Sequence, residues 1–345
     1  MEYRTLGNTE LKVSAVCLGT MTFGQQNDEG EAHSQLDYAL ERGINFIDTA
    51  EMYPVPARAE TFTRTESIVG SWLGKQPRDR IVLATKIAGP RRSMEWIRGG
   101  PEALDRANIR AAVEGSLARL QTDYIDLYQL HWPERNVPMF GGDQFDPAEE
   151  TDALPIRDQL EVLAELVEEG KIRYLGLSNE TPWGVMSFLR LAEEHGLPRA
   201  VSIQNAYNLL NRTYEYGLAE ITYRESISLL AYSPLGFGYL SGKYLPGAGG
   251  QGRATLFKPF TQRYQKPGVE PAVSAYVELA RQQGISPVQL ALSYVYRRWF
   301  VTSTIIGATT MEQLSEDIDA WELPLPEAVH KEIEVLHRRF TNPAP

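Results

Sequence analysis

Eight strand-like runs, nearly all followed by a stretch of helical period, constrain this chain more than any other feature. The runs are Val16 to Leu18, Ile44 to Ile47, Ile81 to Thr85, Tyr124 to Leu130, Ile172 to Leu177, Ala200 to Gln204, Ser228 to Ala231 and Ser303 to Ile306. Apolar residues recur at helical spacing between them, as with Ala32, Leu36, Ala39 and Leu40 in Glu31 to Glu41, and Ile109, Ala112, Val113, Leu117 and Leu120 in Asp105 to Leu120. Further helices are expected near Thr65 to Leu73, Ile156 to Glu169, Thr181 to His195, Tyr214 to Arg224, Pro271 to Gln282 and Val288 to Arg298. Two more, Met311 to Ala320 and Pro326 to Phe340, follow the last strand. Strands joined by helical crossovers run parallel. A length of 345 residues fits two average domains or one large barrel. Eight units favour the barrel: an α/β chain folded as a (β/α)8 TIM barrel, one domain over 1–345, rather than an open doubly wound sheet. The turn Gly19-Thr20-Met21-Thr22-Phe23-Gly24 departs from G-x-G-x-x-G, which weakens the open sheet further.

An N-terminal hairpin is expected where Tyr3 to Leu6 and Leu11 to Val13 flank Gly7-Asn8, placed to cap one end of the barrel. Long rim loops are expected over 133–155, with its acidic cluster, and over 232–268, which is rich in Gly, Pro and Tyr and has no regular period. A shorter loop holds Gly89, Pro90, Arg91 and Arg92.

Four of the strand-like runs stop at polar residues: Asp48, Lys86, His131, and the pair Ser178 and Asn179. Catalytic groups of a barrel sit at the C-terminal ends of its strands, so these tips mark one rim. Taken singly, Asp48 also fits a turn former and His131 a structural histidine. Together with Tyr53, five positions after Asp48, they supply an acid, a phenol, an ammonium and an imidazole.

Such a set suits proton transfer. An ammonium near a phenol stabilises the phenolate and lowers the tyrosine's pKa from near 10, and a carboxylate keeps a buried lysine charged. His131 can hydrogen-bond a carbonyl oxygen and orient it. None of these side chains is an obvious nucleophile, so an external hydride donor is the economical partner. Barrels commonly hold phosphate in the loops after strands seven and eight, here Tyr232-Ser233-Pro234-Leu235-Gly236-Phe237-Gly238 and Gly307-Ala308-Thr309-Thr310. Lys243 and Arg253 can add positive charge there. Phe23, Met52, Trp132 and Trp183 suggest apolar pocket walls, though each also fits core packing.

Composition narrows the partners. Hydrophobic content of 43% with 23% charged residues is ordinary for a chain that buries a full core. A net charge of −11 disfavours nucleic acid and anionic membrane surfaces, so neither is an expected partner, and an anionic cofactor needs local cations. One cysteine, Cys17, leaves no disulfide framework and no cysteine-rich zinc site. H-E-x-x-H, P-loop and G-x-S-x-G motifs are absent, and no metal is called for. The first residues lack a secretory pattern and a myristoylation glycine, and no apolar run nears the roughly 20 residues of a spanning helix. A cytoplasmic protein is the expectation. Oligomeric state leaves no visible mark.

The segments Asp48-Thr-Ala-Glu-Met-Tyr53, Ala84-Thr-Lys86, Leu130-His-Trp-Pro133, Lys171-Ile-Arg-Tyr-Leu-Gly-Leu-Ser-Asn179, Tyr232-Ser-Pro-Leu-Gly236, Leu240-Ser-Gly-Lys-Tyr244 and Ile306-Gly-Ala-Thr-Thr310 occur in this order. Over essentially its whole length the chain resembles the aldo-keto reductase superfamily, most of all its bacterial Tas-type members and, more distantly, the β subunits of voltage-gated potassium channels. The resemblance implies NADPH-dependent reduction of a small-molecule carbonyl substrate, an aldehyde or ketone. Tyr53 would be the general acid, Asp48 and Lys86 its tuning pair, and His131 the group that orients the carbonyl. Ser178, Asn179 and Gln204 would hold the nicotinamide carboxamide, with Tyr232 stacked on the ring, and Gly19, Thr20, Met21 and Asp48 would also contact the cofactor. Ser233, Pro234, Leu235, Gly236, Lys243 and Arg253 would line the phosphates. Gly307, Thr309, Gln313, Glu316 and Asp317 would surround the adenosine end, although Asp317 stands where related sequences often carry Asn. The loop from Pro54 to Thr63 is longer than the link usual after this tyrosine. The likeness to channel subunits keeps a second reading open, an NADP(H)-binding redox sensor or partner subunit. A lyase or isomerase without nicotinamide is a third.

Overall fold

The computed structural model describes residues 1–90, 92–100 and 103–345, so Arg91 lies outside the described residues. Strands β1 (Tyr3–Thr5) and β2 (Lys12–Ser14) form the expected antiparallel hairpin. Eight parallel strands follow: β3 (Val16–Gly19), β4 (Phe46–Asp48), β5 (Val82–Ile87), β6 (Ile125–Leu130), β7 (Ile172–Ser178), β8 (Ala200–Ala206), β9 (Ser228–Tyr232) and β10 (Val301–Ile306). They close into a barrel in chain order, the last pairing with the first through Thr304 opposite Val16 and Ile306 opposite Leu18. Helices α1 (Glu29–Glu41), α2 (Arg64–Leu73), α3 (Arg106–Leu120), α4 (Ile156–Glu168), α5 (Pro182–His195) and α6 (Leu218–Glu225) make the first crossovers. The last crossover contains α7 (Arg253–Leu256), α8 (Val269–Gln282) and α9 (Pro287–Tyr296), and α10 (Met311–Asp319) and α11 (Glu327–Arg339) follow the barrel. This is a (β/α)8 TIM barrel with an N-terminal hairpin and added C-terminal helices. No helix among the described residues is long and apolar enough to cross a membrane.

Helix starts follow local chemistry. Asp28 caps α1 while Glu31 bonds back to the Asp28 backbone, and Thr181 caps α5 ahead of Pro182. The helix expected over Tyr214 to Arg224 begins instead as a 3-10 turn, Thr213–Tyr216, and becomes α6 only after Gly217. The loop expected over 232–268 also holds more structure than its lack of period suggests. It contains 3-10 turns at Gly236–Ser241 and Lys258–Gln265 with α7 between them, whereas 133–155 has a single 3-10 turn, Pro147–Glu149.

Inside the barrel lies an apolar layer that includes Cys17, Phe46, Ala84, Leu127, Leu230 and Ile305. Leu6 and Val13 of the hairpin join it and close the N-terminal end. Gly7, at φ +56°, makes this possible, because a Cβ there would meet the Val201 carbonyl oxygen at 2.5 Å. With one end plugged, access to the interior is from the C-terminal ends of the strands.

Candidate active site

Successive strand residues alternate faces, so residues two apart share one. Stepping up two residues from the apolar layer gives Gly19 above Cys17, Asp48 above Phe46, Lys86 above Ala84, Gln129 and then His131 above Leu127, and Tyr232 above Leu230. An apolar floor thus gives way to a polar layer at one level. Lys86 does not close its strand as the sequence suggested. The ladder continues to Ile87, with Lys86 opposite Gln129, which embeds the lysine in the sheet.

The polar layer is one network. Lys86 Nζ donates to Asp48 Oδ2 at 2.5 Å and to the Thr49 carbonyl at 2.8 Å, and both residues are buried. Asp48 Oδ1 accepts from Gln129 Nε2 at 3.1 Å and Gln204 Nε2 at 2.9 Å. The Lys86 ammonium also faces Tyr53, 5.0 Å from the centroid of its ring. The His131 ring stands 5.7 Å from Tyr53 at 78°. Among the described residues its buried Nδ1 has no hydrogen-bond partner.

Protonation follows from these contacts. Burial works against the Lys86 ammonium, but Asp48 and Tyr53 outweigh it and hold its pKa above the ordinary lysine value. Burial acts first on Tyr53 as well, pushing the phenol up. Lys86 pulls it back in the direction expected from sequence without overcoming burial, so the net shift is upward. His131 is driven well below the usual histidine range by burial, then by Lys86 and Arg92, which leaves it a neutral imidazole with one donor and one acceptor nitrogen.

Above this layer opens a cavity of about 1170 Å³. Asp48, Tyr53 and His131 line it, while Lys86 sits behind them. Gly19, Thr20, Met21, Ser178, Asn179, Gln204, Tyr232, Ser233, Pro234, Leu235, Lys243, Arg253, Gly307, Thr309, Gln313, Glu316 and Asp317 also line it. Gly236 does not. It closes a turn at φ +55°, donating its N–H to the Ser233 carbonyl at 2.9 Å. Thr20 contributes little besides backbone, because its hydroxyl donates to the Asp48 carbonyl at 2.9 Å. Of the apolar wall candidates, Met52 and Trp132 line the cavity. Phe23 is instead fully buried among helix-facing residues, and Trp183 is 64% exposed on the outside of α5.

Several side chains already have partners. Asn179 donates to the His131 carbonyl at 2.8 Å and accepts from the Tyr232 hydroxyl at 2.6 Å. At the start of α10 the Gln313 side chain accepts from both the amide and the hydroxyl of Thr309, each at 3.0 Å, so part of the expected anion cradle is capped from within. Arg253 Nη1 points to the Met21 sulfur at 3.2 Å. Neither Arg253 nor Lys243 has a carboxylate in ion-pair reach among the described residues.

Gln129 is absent from the sequence-based set, yet it fixes Asp48. The signal for it is its place two residues before His131 on the inward face of β6. Arg263, Tyr264 and Phe140 also line the cavity, from rim loops whose sequence has no period to place them.

Residues 15–338 match the family model described as the aldo/keto reductase family. The chain belongs to that family. It is 52% identical to Protein tas of Escherichia coli (strain K12) over the full length of both chains. It is 40% identical to an aldo-keto reductase of Babesia bovis, over 76% of this chain and 98% of that one. With norsolorinic acid reductase B of Dothistroma septosporum it shares 30% identity, over 98% and 82% of the two chains. This aldo/keto reductase is therefore an oxidoreductase acting on carbonyl compounds, in a family that generally works with a reduced nicotinamide dinucleotide.

Proposed function

We propose that this aldo/keto reductase reduces an aldehyde or ketone to its alcohol with NADPH, using Tyr53 as general acid, Asp48 and Lys86 to fix and tune it, and His131 to orient the carbonyl. The observation that carries the reading is the chain of contacts from Asp48 through Lys86 to Tyr53, with the unpartnered His131 Nδ1 alongside at the cavity floor. Tyr53 holds its proton until negative charge develops on the carbonyl oxygen, and the Lys86 ammonium then stabilises the phenolate left behind. Neutral His131 offers the same oxygen a hydrogen bond without competing as an acid.

The cavity fits the dinucleotide. Its volume exceeds the roughly 300 to 1,000 Å³ of a site for a drug-sized ligand, leaving room for cofactor and substrate together. Burial and then Arg253 depress the Lys243 pKa, and burial depresses that of Arg253, so a phosphate between them would relieve both. Ser178, Asn179 and Gln204 would hold the carboxamide, with Tyr232 against the ring. Ser233, Pro234, Leu235, Lys243 and Arg253 would face the phosphates, and Gly307, Thr309, Gln313 and Glu316 the adenosine. Burial, and next Glu316, raise the Asp317 carboxyl well above the usual range, with Arg253 and Lys243 pulling the other way. Its protonated form presents a donor and an acceptor, as an asparagine does. When bound, the nicotinamide supplies the hydride. We also read 1–345 as one barrel domain.

The test uses NADPH carrying deuterium at the transferable C4 position, with benzaldehyde as substrate. One deuterium on the alcohol carbon is expected, with kcat/KM for NADPH at least about tenfold above that for NADH, the scale of a charge-assisted hydrogen bond. An alcohol without deuterium would contradict the reductase reading, and equal use of NADH the phosphate contacts.

A further inference from the structure

One wall of the cavity is left unexplained by the cofactor. Among the described residues, the carboxylates lining the cavity are Asp48, which is bound to Lys86, and Glu316 and Asp317 on α10. Among their described residues, the loops carrying Arg92, Arg263 and Lys266 contribute cations and no carboxylate to the lining, in a protein of net charge −11. Lys266 ties its own loop to the loop over 133–155, donating to the Gly141 carbonyl at 3.0 Å with Asp143 at 3.7 Å. Arg263 is different. Its Nε is buried without a hydrogen-bond partner, and no carboxylate lies in ion-pair reach among the described residues. The phenols of Tyr232 and Tyr264 lie beside its guanidinium, which sits 6.0 Å from the Phe140 ring. Arg92 faces the same ring at 4.4 Å. From Phe140 a run of rings leads down to the acid: Phe140 to Trp132 at 6.4 Å, Trp132 to His131 at 4.8 Å, and His131 to Tyr53 at 5.7 Å. A guanidinium held this way without a counter-ion bears a desolvation cost that an incoming anion would offset. Its planar fork suits a carboxylate.

Resting on the reductase reading above, we propose that Arg263 anchors the substrate and that the substrate class is a carboxylate-bearing aldehyde or ketone with an aromatic or other apolar body. The body lies along Trp132 and Phe140, the carboxylate on Arg263, and the carbonyl at Tyr53 and His131. Arg92 adds positive potential to the same wall.

The experiment compares 4-carboxybenzaldehyde with its methyl ester, methyl 4-formylbenzoate, which has the same outline and no charge. The aldehyde carbonyl of the methyl ester is intrinsically the more electrophilic of the two, so a preference for the acid reports the protein. Wild-type kcat/KM is expected to favour the acid by about tenfold or more. In Arg263→Met the ratio falls to about one through a higher KM for the acid, Arg263→Lys recovers part of it, and the NADPH dissociation constant from tryptophan quenching stays within about twofold. Overturning results are no acid preference in the wild type, an unchanged ratio in Arg263→Met, or a matching loss of NADPH affinity, which would assign Arg263 to the cofactor. If NADPH binds and neither aldehyde is reduced, the reductase reading fails, and binding of 4-(hydroxymethyl)benzoate to the NADP+ complex then decides the anchor. Arg263-dependent binding upholds it; its absence overturns it.

Discussion

At Tyr53 two electrostatic effects oppose each other, burial against the Lys86 ammonium, and burial prevails. The phenol is therefore held protonated, the state that the proposed general acid requires. His131 obeys the same logic with the opposite sign, since burial removes its proton. The unfolded chain takes up a proton on this histidine near pH 6.5 and the folded chain does not. The stability tied to it is thus full above about pH 6.5 and lost as pH falls toward the depressed folded value, by up to about 1.4 kcal/mol per pH unit. Urea denaturation between pH 7 and 5 should show wild-type stability falling more steeply than that of His131→Gln. Parallel profiles would mean that His131 is not held neutral.

Elements bring these residues to one level, and some pack so closely that a single methyl group matters. Helices α2 and α3 cross at Gly70, where a Cβ would stand 2.0 Å from the Arg119 carbonyl oxygen and 2.8 Å from the Leu120 Cα. Beside the crossing, Arg119 Nε donates to buried Glu66 at 2.7 Å, and Glu66 accepts from Thr85 Oγ1 of β5 at 2.5 Å. The crossing therefore braces the strand that carries Lys86. Alanine is the better helix former by about 1 kcal/mol, but the clash is with backbone that cannot swing aside, and overpacking of this kind costs about 1 to 3 kcal/mol or more. Gly70→Ala should lower the urea midpoint, with a net loss of about 2 kcal/mol. An unchanged or higher midpoint would show that the helices separate freely.

Across the whole molecule, the barrel was legible because eight apolar runs alternate with amphipathic stretches, and each period can be read without tertiary knowledge. Asp48, Lys86 and His131 were legible because a polar residue ending an apolar run stands out, and Tyr53 because it follows Asp48 in a familiar segment. Gln129 was hidden within a strand, where an inward polar side chain looks like any other alternation. Arg263 was hidden because its turn, Lys258–Gln265, carries no periodic signal in the sequence and reaches Gly141 of another rim loop only in the folded chain. Trp183 misled for the converse reason, since exposure is a property of packing and not of residue type. The proposed reduction turns on Tyr53 giving up its proton, so the most direct measurement mixes the preformed NADPH complex with excess benzaldehyde and follows the nicotinamide absorbance through a single turnover. In Tyr53→Phe the rate should fall by about 10² to 10⁴ while the variant still binds NADPH. A variant that consumes NADPH as fast as the wild type would contradict it.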